Sequence, residues 1–445
     1  VPTGEIINYD DPYHPEGDRR QDVFFDFFNY AGIHRPVQLI ALPRTHITDI
    51  HVTTDIRGND GIVRWNLESS EPTDFRVTIR NKEGEEIASG KGKSGELSIE
   101  DAEFWGPDNP YLYTFTADAV SPEEDLLDRY RLFTGIRTVE IKDGKFLLNG
   151  KPFYFRGFGK HEDGNIRGRA LDHPLMVKDF NLMKWTGANS FRTSHYPYAE
   201  DVLDLADREG FLVIDESPAV GMVIPDNREK YNPEDFLDER MKNHKQAMRE
   251  LIHRDRNHPC VVIWGVSNEP DTHNEESVRY FREITTYTRE LDSSRPLMFV
   301  DYRIAKDCQV GEFFDIMGVN RYDTWYVDCG RTELIRFQVE KILKDWHEKY
   351  KKPIFLTEFG ADTIAGFHSD PPVMYSEEHQ CAFLEEYLKT VKELDFVIGE
   401  HVWNLADFET KQEIRRVMGN RKGVFTRDRR PKMAAHLLKK WWSRD

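Results

Sequence analysis

Between residues 37 and 145 apolar and polar side chains alternate in short runs: VQLIALP, HITDIHVTTDI, GIVRWNLES, DFRVTIRN, ELSIEDAEFW, YLYTFTADAV and RLFTGIRTVEI. A period of two puts successive side chains on opposite faces of a strand, so each run reads as a strand with one buried face. RGNDG and NKEGEE supply turns between them. Seven such strands in about 100 residues predict an immunoglobulin-like β-sandwich over 37–145. No titratable constellation stands out within it.

After Asn149-Gly150 the rhythm changes. Eight apolar runs follow: FYFRGFG (153–159), ANSFRTS (188–194), LVIDES (212–217), VVIWGVSNE (261–269), PLMFVDY (296–302), IMGVNRY (316–322), IFLTEFG (354–360) and GEHVWN (399–404). The fourth, with its continuous Val261–Val266 stretch, is of the kind that marks a strand buried on both faces. Segments with helical period separate them: PLMVKDFNLMKWTG, AEDVLDLADREG, MKNHKQAMRELIHRD, EESVRYFREITTYTRELD, ELIRFQVEKILKDWHEKY and SEEHQCAFLEEYLKTVKEL, with PKMAAHLLKKWW last. Eight alternating β and α units predict a (β/α)8 TIM barrel over 146–445. Barrels of this kind keep their chemistry at the C-terminal ends of the strands. Each of the eight ends here carries a polar or aromatic group: His161-Glu162-Asp163, Arg192 with His195, Asp215-Glu216, Asn268-Glu269, Asp301, Asn320 with Tyr322, Glu358 and Trp403.

Composition narrows the class. A chain of 445 residues exceeds one ordinary domain, and 39% apolar with 12% aromatic residues is enough for a large core. The formal charge of -18, from 61 basic and 79 acidic side chains, argues against nucleic acid or an anionic membrane as the principal partner. No stretch approaches 18 uninterrupted apolar residues, so no transmembrane helix is expected, and no signal-peptide pattern opens the chain. Starting at Val1, the chain reads as a fragment, which leaves its compartment open. Cys260, Cys308, Cys329 and Cys381 have no CxxC or metal-ligand spacing and read as buried or idle thiols; no Asn-x-Ser/Thr sequon is present.

No phosphate-binding glycine loop precedes a helix, and HExxH, DxDxDG and Cys/His clusters are absent, so neither a metal nor a cofactor is expected. His195, two residues before a proline, reads as structural. Acid–base or nucleophilic chemistry by carboxylates is what is left. Glu269 ends the fourth strand and Glu358 the seventh, across the barrel mouth from one another. One carboxyl kept protonated by burial can donate to a leaving group while the other, ionised, attacks or activates water. For glycosides, a separation of roughly 5–5.5 Å means retention and about 6.5–9.5 Å inversion. Either glutamate alone could sit in a salt bridge to a barrel arginine; the pair, with Asn268 beside one member, favours catalysis.

These residues resemble a known family. Asn268-Glu269-Pro270 and Thr357-Glu358-Phe359-Gly360 are similar to glycoside hydrolase family two, retaining enzymes with a sugar-binding jelly roll, an immunoglobulin-like sandwich and a catalytic barrel. The runs DFFNYAG (26–32), KPFYFRGFGKHEDGNIRG, FRTSHYPYAE, RDRNHP, VWNLADF and GNRKGVFTRDRRPK resemble the β-glucuronidases of that family over nearly the whole chain. The resemblance implies a retaining, exo-acting enzyme that converts β-D-glucuronides, as small molecules or terminal sugars, to D-glucuronate and an alcohol through a covalent glycosyl-enzyme. It also implies a homo-oligomer, dimer or tetramer, and a multidomain chain whose residues 1–36 hold the C-terminal remnant of the jelly roll. By matching position, Glu269 is the general acid/base and Glu358 the nucleophile. Asn268 is matched to the sugar 2-hydroxyl, Asp26 and His161 to other hydroxyls, and Trp403 to a sugar wall. Asn320 joins the substrate-binding set, Tyr322 steadies the nucleophile and Tyr326 approaches the sugar acid. Asn420-Arg421-Lys422 resembles an Asn-x-Lys element that holds the C6 carboxylate, with Arg416 in the same patch; a fixed cation and an amide donor suit a carboxylate.

The chain departs from the pattern in places. Arg421 stands where lysine is common, and Phe359 where a tyrosine often follows the nucleophile. The loop PAVGMVIPDNREKYNPED after the third strand lacks a long insertion, implying a more open aglycone side. A β-galactosidase or β-mannosidase of the same family would keep both glutamates without needing Asn420 and Lys422, and a catalytically silent carbohydrate-binding barrel is the reading from another class.

Overall fold

The computed structural model describes residues 4–9, 11–23, 25–224 and 233–443. A hairpin of β1 (Gly4–Asn8) and β2 (Arg19–Val23) comes first. The sandwich follows: β3 (Ile47–Arg57), β4 (Asp60–Ser69), β5 (Asp74–Arg80), β6 (Glu86–Lys91), β7 (Ser94–Ile99), β8 (Tyr113–Val120) and β9 (Leu126–Thr134). One sheet has the order β3-β4-β7 and the other β6-β5-β8-β9, all antiparallel. Val63, Trp65, Leu67, Phe75, Val77, Ile79 and Phe115 fill the space between them.

Seven strands were expected here and seven form, but one is a different segment. VQLIALP forms no strand, and its Val37, Leu39 and Ile40 are exposed. Alternation describes the faces a strand would have; it does not supply a neighbour to bond. In its place β6, the polar EIASGK, pairs along β5 through its backbone at the sheet edge, where no apolar face is needed.

β10 (Val139–Lys142), β11 (Lys145–Leu148) and β12 (Lys151–Pro152) join sandwich to barrel. The boundary expected at 145/146 falls inside the β10–β11 hairpin, and Phe146 and Leu148 pack into the barrel core.

The barrel strands are β13 (Phe155–Gly159), β14 (Ser190–Arg192), β15 (Leu212–Glu216), β16 (Val261–Asn268), β17 (Leu297–Asp301), β18 (Ile316–Asn320), β19 (Ile354–Glu358) and β20 (Val397–Val402). All eight lie within or against the expected runs, and the parallel ring closes where β20 pairs with β13. Helices α1 (His173–Thr186), α2 (Glu200–Glu209), α3 (Pro233–Asp255), α4 (Glu275–Leu291), α5 (Ile335–Tyr350), α6 (Glu377–Lys392) and α7 (Met433–Trp442) surround it. Asp172, Asn274 and Ser376 start α1, α4 and α6 by accepting a backbone N–H three residues on. The fifth unit corrects the expected alternation. The short connection from β17 to β18 holds only a 3-10 turn, Gly311–Phe313, because it is too brief for a helix and its two loops.

The sandwich docks at the foot of β16. Arg137 donates to the carbonyls of Pro259 (3.0 Å) and Val261 (2.8 Å). Asn257 accepts from Val52 N and donates to Ile50 O, bridging to β3. At the opposite, C-terminal face the segment after β2 crosses the barrel mouth, where Phe28 N donates to Glu409 O and Tyr30 Oη to Asp163. Among the described residues no helix is long and apolar enough to cross a membrane.

Candidate active site

β16 is buried along its whole length, and the chain must turn out of it to present a side chain to the mouth. It does so at Glu269, whose φ is +50°, in the left-handed region that costs a non-glycine residue roughly 1–3 kcal/mol. The Glu269 N–H donates to Val300 O on β17 at 2.8 Å, which holds the turn. Asn320, expected in the substrate-binding set, is bonded to this carboxyl. Its Nδ2 donates to Glu269 Oε1 at 2.8 Å and its Oδ1 accepts from Thr357 at 2.8 Å. Burial, with the negative charge of Glu358 adding to it, pushes the Glu269 carboxyl up to about 7. Glu269 therefore keeps its proton into the neutral range.

Glu358, at the end of β19, has the opposite surroundings. Tyr322 Oη donates to its Oε2 at 2.6 Å, and Arg192 Nη2 donates to Oε1. His195 Nε2 lies 3.7 Å from the same Oε1. Burial opposes the charge on Arg192, but Glu216 and Glu358 outweigh it and hold the guanidinium above its ordinary value. Arg192 Nη1 also reaches Asn268 Oδ1 at 3.4 Å, as does Asn320 Nδ2 at 3.4 Å, leaving the Asn268 amide N–H groups as donors for a ligand. Arg192, His195 and Glu216 were visible as strand-end residues but not assigned to the site; a charge near the end of a barrel strand does not reveal which other strand it reaches.

A second cluster lies beside the first. Lys422 is buried, with its ammonium on Asp362, 3.0 Å from Tyr326 Oη, and among the rings of Tyr322, Trp325 and Tyr326. Burial opposes the Asp362 charge, yet Lys422 and Arg416 pull its carboxyl below the usual range. Arg416 donates from Nε to both oxygens of Asp26 (2.8 and 2.9 Å) and from Nη2 to Tyr326 Oη at 3.0 Å. Asn420 Nδ2 donates to Asp26 at 2.8 Å, while its Oδ1 receives Lys422 N at 3.0 Å. Asp26, expected as a hydroxyl-binding residue, is also tied into the cationic patch. Asp362 was not anticipated; its position four residues after Glu358 was the available signal.

His161 and Trp403 close the wall. The rings meet edge to face at 5.3 Å, and Trp403 stacks on His195 at 5.2 Å. Burial, reinforced by nearby His195 and by surrounding cations, pushes His161 well below its ordinary value, so the imidazole is neutral. Its Nδ1 meets Tyr196 Oη at 3.2 Å and its buried Nε2 has no partner. Phe359 is buried against Tyr387, away from the cluster. Residues 225–232 of the loop after β15, on which the openness of the aglycone side was expected to depend, lie outside the described residues.

One group of metal-ligating type, Asp207, His258 and Cys260, gathers among the described residues, near the foot of β16 and far along the strand from Glu269. Asp207 is already shared between His258 Nδ1 (2.6 Å) and Cys260 N (2.9 Å), and burial pushes the thiol well above its ordinary value. A thiolate ligand is therefore disfavoured there.

Residues 139–444 match the family described as glycosyl hydrolases family 2, TIM barrel domain, and 45–137 match glycosyl hydrolases family 2. The chain is 50% identical over 444 residues to the β-glucuronidase of Paenibacillus borealis, covering 99% of this chain and 74% of that protein. The solved β-D-glucuronidase of Dictyoglomus thermophilum superposes with a TM-score of 0.94 at 46% identity, covering 100% of this chain and 77% of that one. The β-glucuronidase of Ruminococcus gnavus in complex with D-glucuronic acid gives 0.92 at 39% identity, covering 99% and 75%.

Proposed function

The chain belongs to glycosyl hydrolase family 2, and from that premise we propose that it is a retaining, exo-acting β-D-glucuronidase that releases D-glucuronate from small-molecule or terminal β-D-glucuronides. The observation that carries this reading is the division between the two carboxyls: Glu269 kept protonated into the neutral range, Glu358 held by Arg192 and Tyr322 as an acceptor of their hydrogen bonds. Glu358 attacks the anomeric carbon while Glu269 gives its proton to the departing glycosidic oxygen, forming a glycosyl ester and an alcohol. Glu269, now a carboxylate, takes a proton from the water that attacks the same carbon, and Glu358 leaves as a carboxylate. Asn268 donates to the 2-hydroxyl, a bond that strengthens as the ring flattens toward an oxocarbenium ion. His161 Nε2 and Asp26 take other hydroxyls, and Trp403 supports the ring.

Lys422, Asn420 and Arg416, with Tyr326, support recognition of a C6 carboxylate. A C6 carboxylate would gain charge-assisted bonds from Lys422 and Arg416 beyond their pairing with Asp362 and Asp26, which a neutral hexose cannot make. The test compares aryl glucuronide with aryl glucoside hydrolysis in Lys422→Ala. Glucuronide kcat/KM is expected to fall by about two orders of magnitude while the glucoside changes little; an undiminished glucuronide rate would remove this specificity. The resemblance further supports a homo-oligomer, which light scattering on the purified chain would check.

A further inference from the structure

Glu216 lies at the end of β15, wholly buried, next to the strand that leads to Glu269 and across the barrel from β19, which carries Glu358. Its Oε2 accepts from Arg192 Nη1 and its Oε1 from His195 Nδ1 at 3.1 Å, while its own backbone N–H is fixed on Thr193 Oγ1 at 2.8 Å. The same two side chains reach Glu358 from their other ends, Arg192 through Nη2 and His195 through Nε2, both at Oε1. Arg192 and His195 therefore bridge two carboxylates, and only one of the two faces the substrate. A buried arginine needs a single carboxylate for charge balance. The second has no part in the bond-making steps described above.

We propose that Glu216 is a positioning residue that divides the charge of Arg192 between two carboxylates, holding Arg192 and His195 on Glu358 while preventing Arg192 from quenching its nucleophilicity. With Glu216 neutral, the whole guanidinium charge falls on Glu358, which becomes easier to ionise and a weaker nucleophile. The other titratable groups around this cluster are Glu269 from β16, Tyr322 after β18 with Lys422 behind its ring, His161 after β13, and His401 on β20. Burial and the charge of Arg192 keep His401 neutral, and its Nε2 is engaged with Ser190.

This inference rests on the assignment of Glu358 as nucleophile. The experiment measures kcat/KM against pH for an aryl glucuronide with the parent, Glu216→Gln and Glu216→Asp, alongside melting temperatures and a Glu358→Ala control. In Glu216→Gln the rate is expected to fall on the order of tenfold to a hundredfold, chiefly in kcat/KM, with the acid limb displaced to lower pH. Glu216→Asp, which keeps the charge, is expected to lose rate with the acid limb in the parent position; it carries the test if the glutamine variant does not fold. An acid limb that stays put in Glu216→Gln, or one that moves in Glu216→Asp, overturns the proposal. Failure of the underlying assignment looks different: Glu358→Ala would then keep turning over glucuronide.

Discussion

Glu269 carries two oddities that explain one another. The left-handed backbone takes its side chain out of a fully buried strand, and the half-enclosed position it reaches, near Glu358, lifts its carboxyl to about 7. In the proposed mechanism the acid form starts the reaction and is lost as pH rises through that value, so kcat/KM is expected to decline above about pH 7. Glu269→Gln should abolish this basic limb and cost about 10²–10⁴ with alkyl leaving groups, but much less with a phenol that departs unassisted. The same shift acts on stability. A carboxyl that ionises later in the fold than in the unfolded chain makes folding less favourable as pH rises between the ordinary carboxyl range and about 7. The melting temperature of Glu269→Gln relative to the parent should therefore increase across that window.

At the scale of elements, the strand ends are packed too closely to be substituted freely. A Cβ on Gly360, just past β19, would stand 1.9 Å from the carbonyl oxygen of Trp403 just past β20, a backbone atom with no flexible end to move aside. Gly360→Ala is expected to lower stability by about 1–3 kcal/mol and to depress kcat more than KM, since the ends carrying Glu358 and Trp403 must separate; chemical denaturation and steady-state kinetics would show both. Elements of this kind were readable in advance where burial is complete. β15 to β19 are buried apolar runs, and their C-terminal polar groups stand out against that background. β6 was not readable, since EIASGK bonds through its backbone and shows no apolar face. VQLIALP misled for the converse reason. Glu269 and Glu358 could be paired from strand order alone, whereas Asn320 orienting Glu269, Glu216 behind Arg192 and Asp362 under Lys422 depend on side-chain reach, which no spacing encodes.

The whole molecule is organised about β16. Its foot is bound to the sandwich through Arg137 and Asn257, and its head leads to Asn268 and Glu269, so the strand that presents the proposed proton donor is fixed at both ends. The opposite rim is joined differently. The bonds from Arg416 and Asn420 to Asp26 connect residues 390 and 394 positions apart. The junction can form only after the intervening sandwich and barrel have brought its two segments together, so it belongs among the later contacts to form. Asp26 leaves about a third of its side chain exposed, unlike the buried barrel strands. In urea, glucuronide turnover is accordingly expected to vanish at a lower concentration than the far-ultraviolet circular dichroism of the barrel, and coincident midpoints would contradict that order. Catalytic competence would then report on the completion of folding: a chain that had formed every strand of its barrel would stay silent until its two distant segments met.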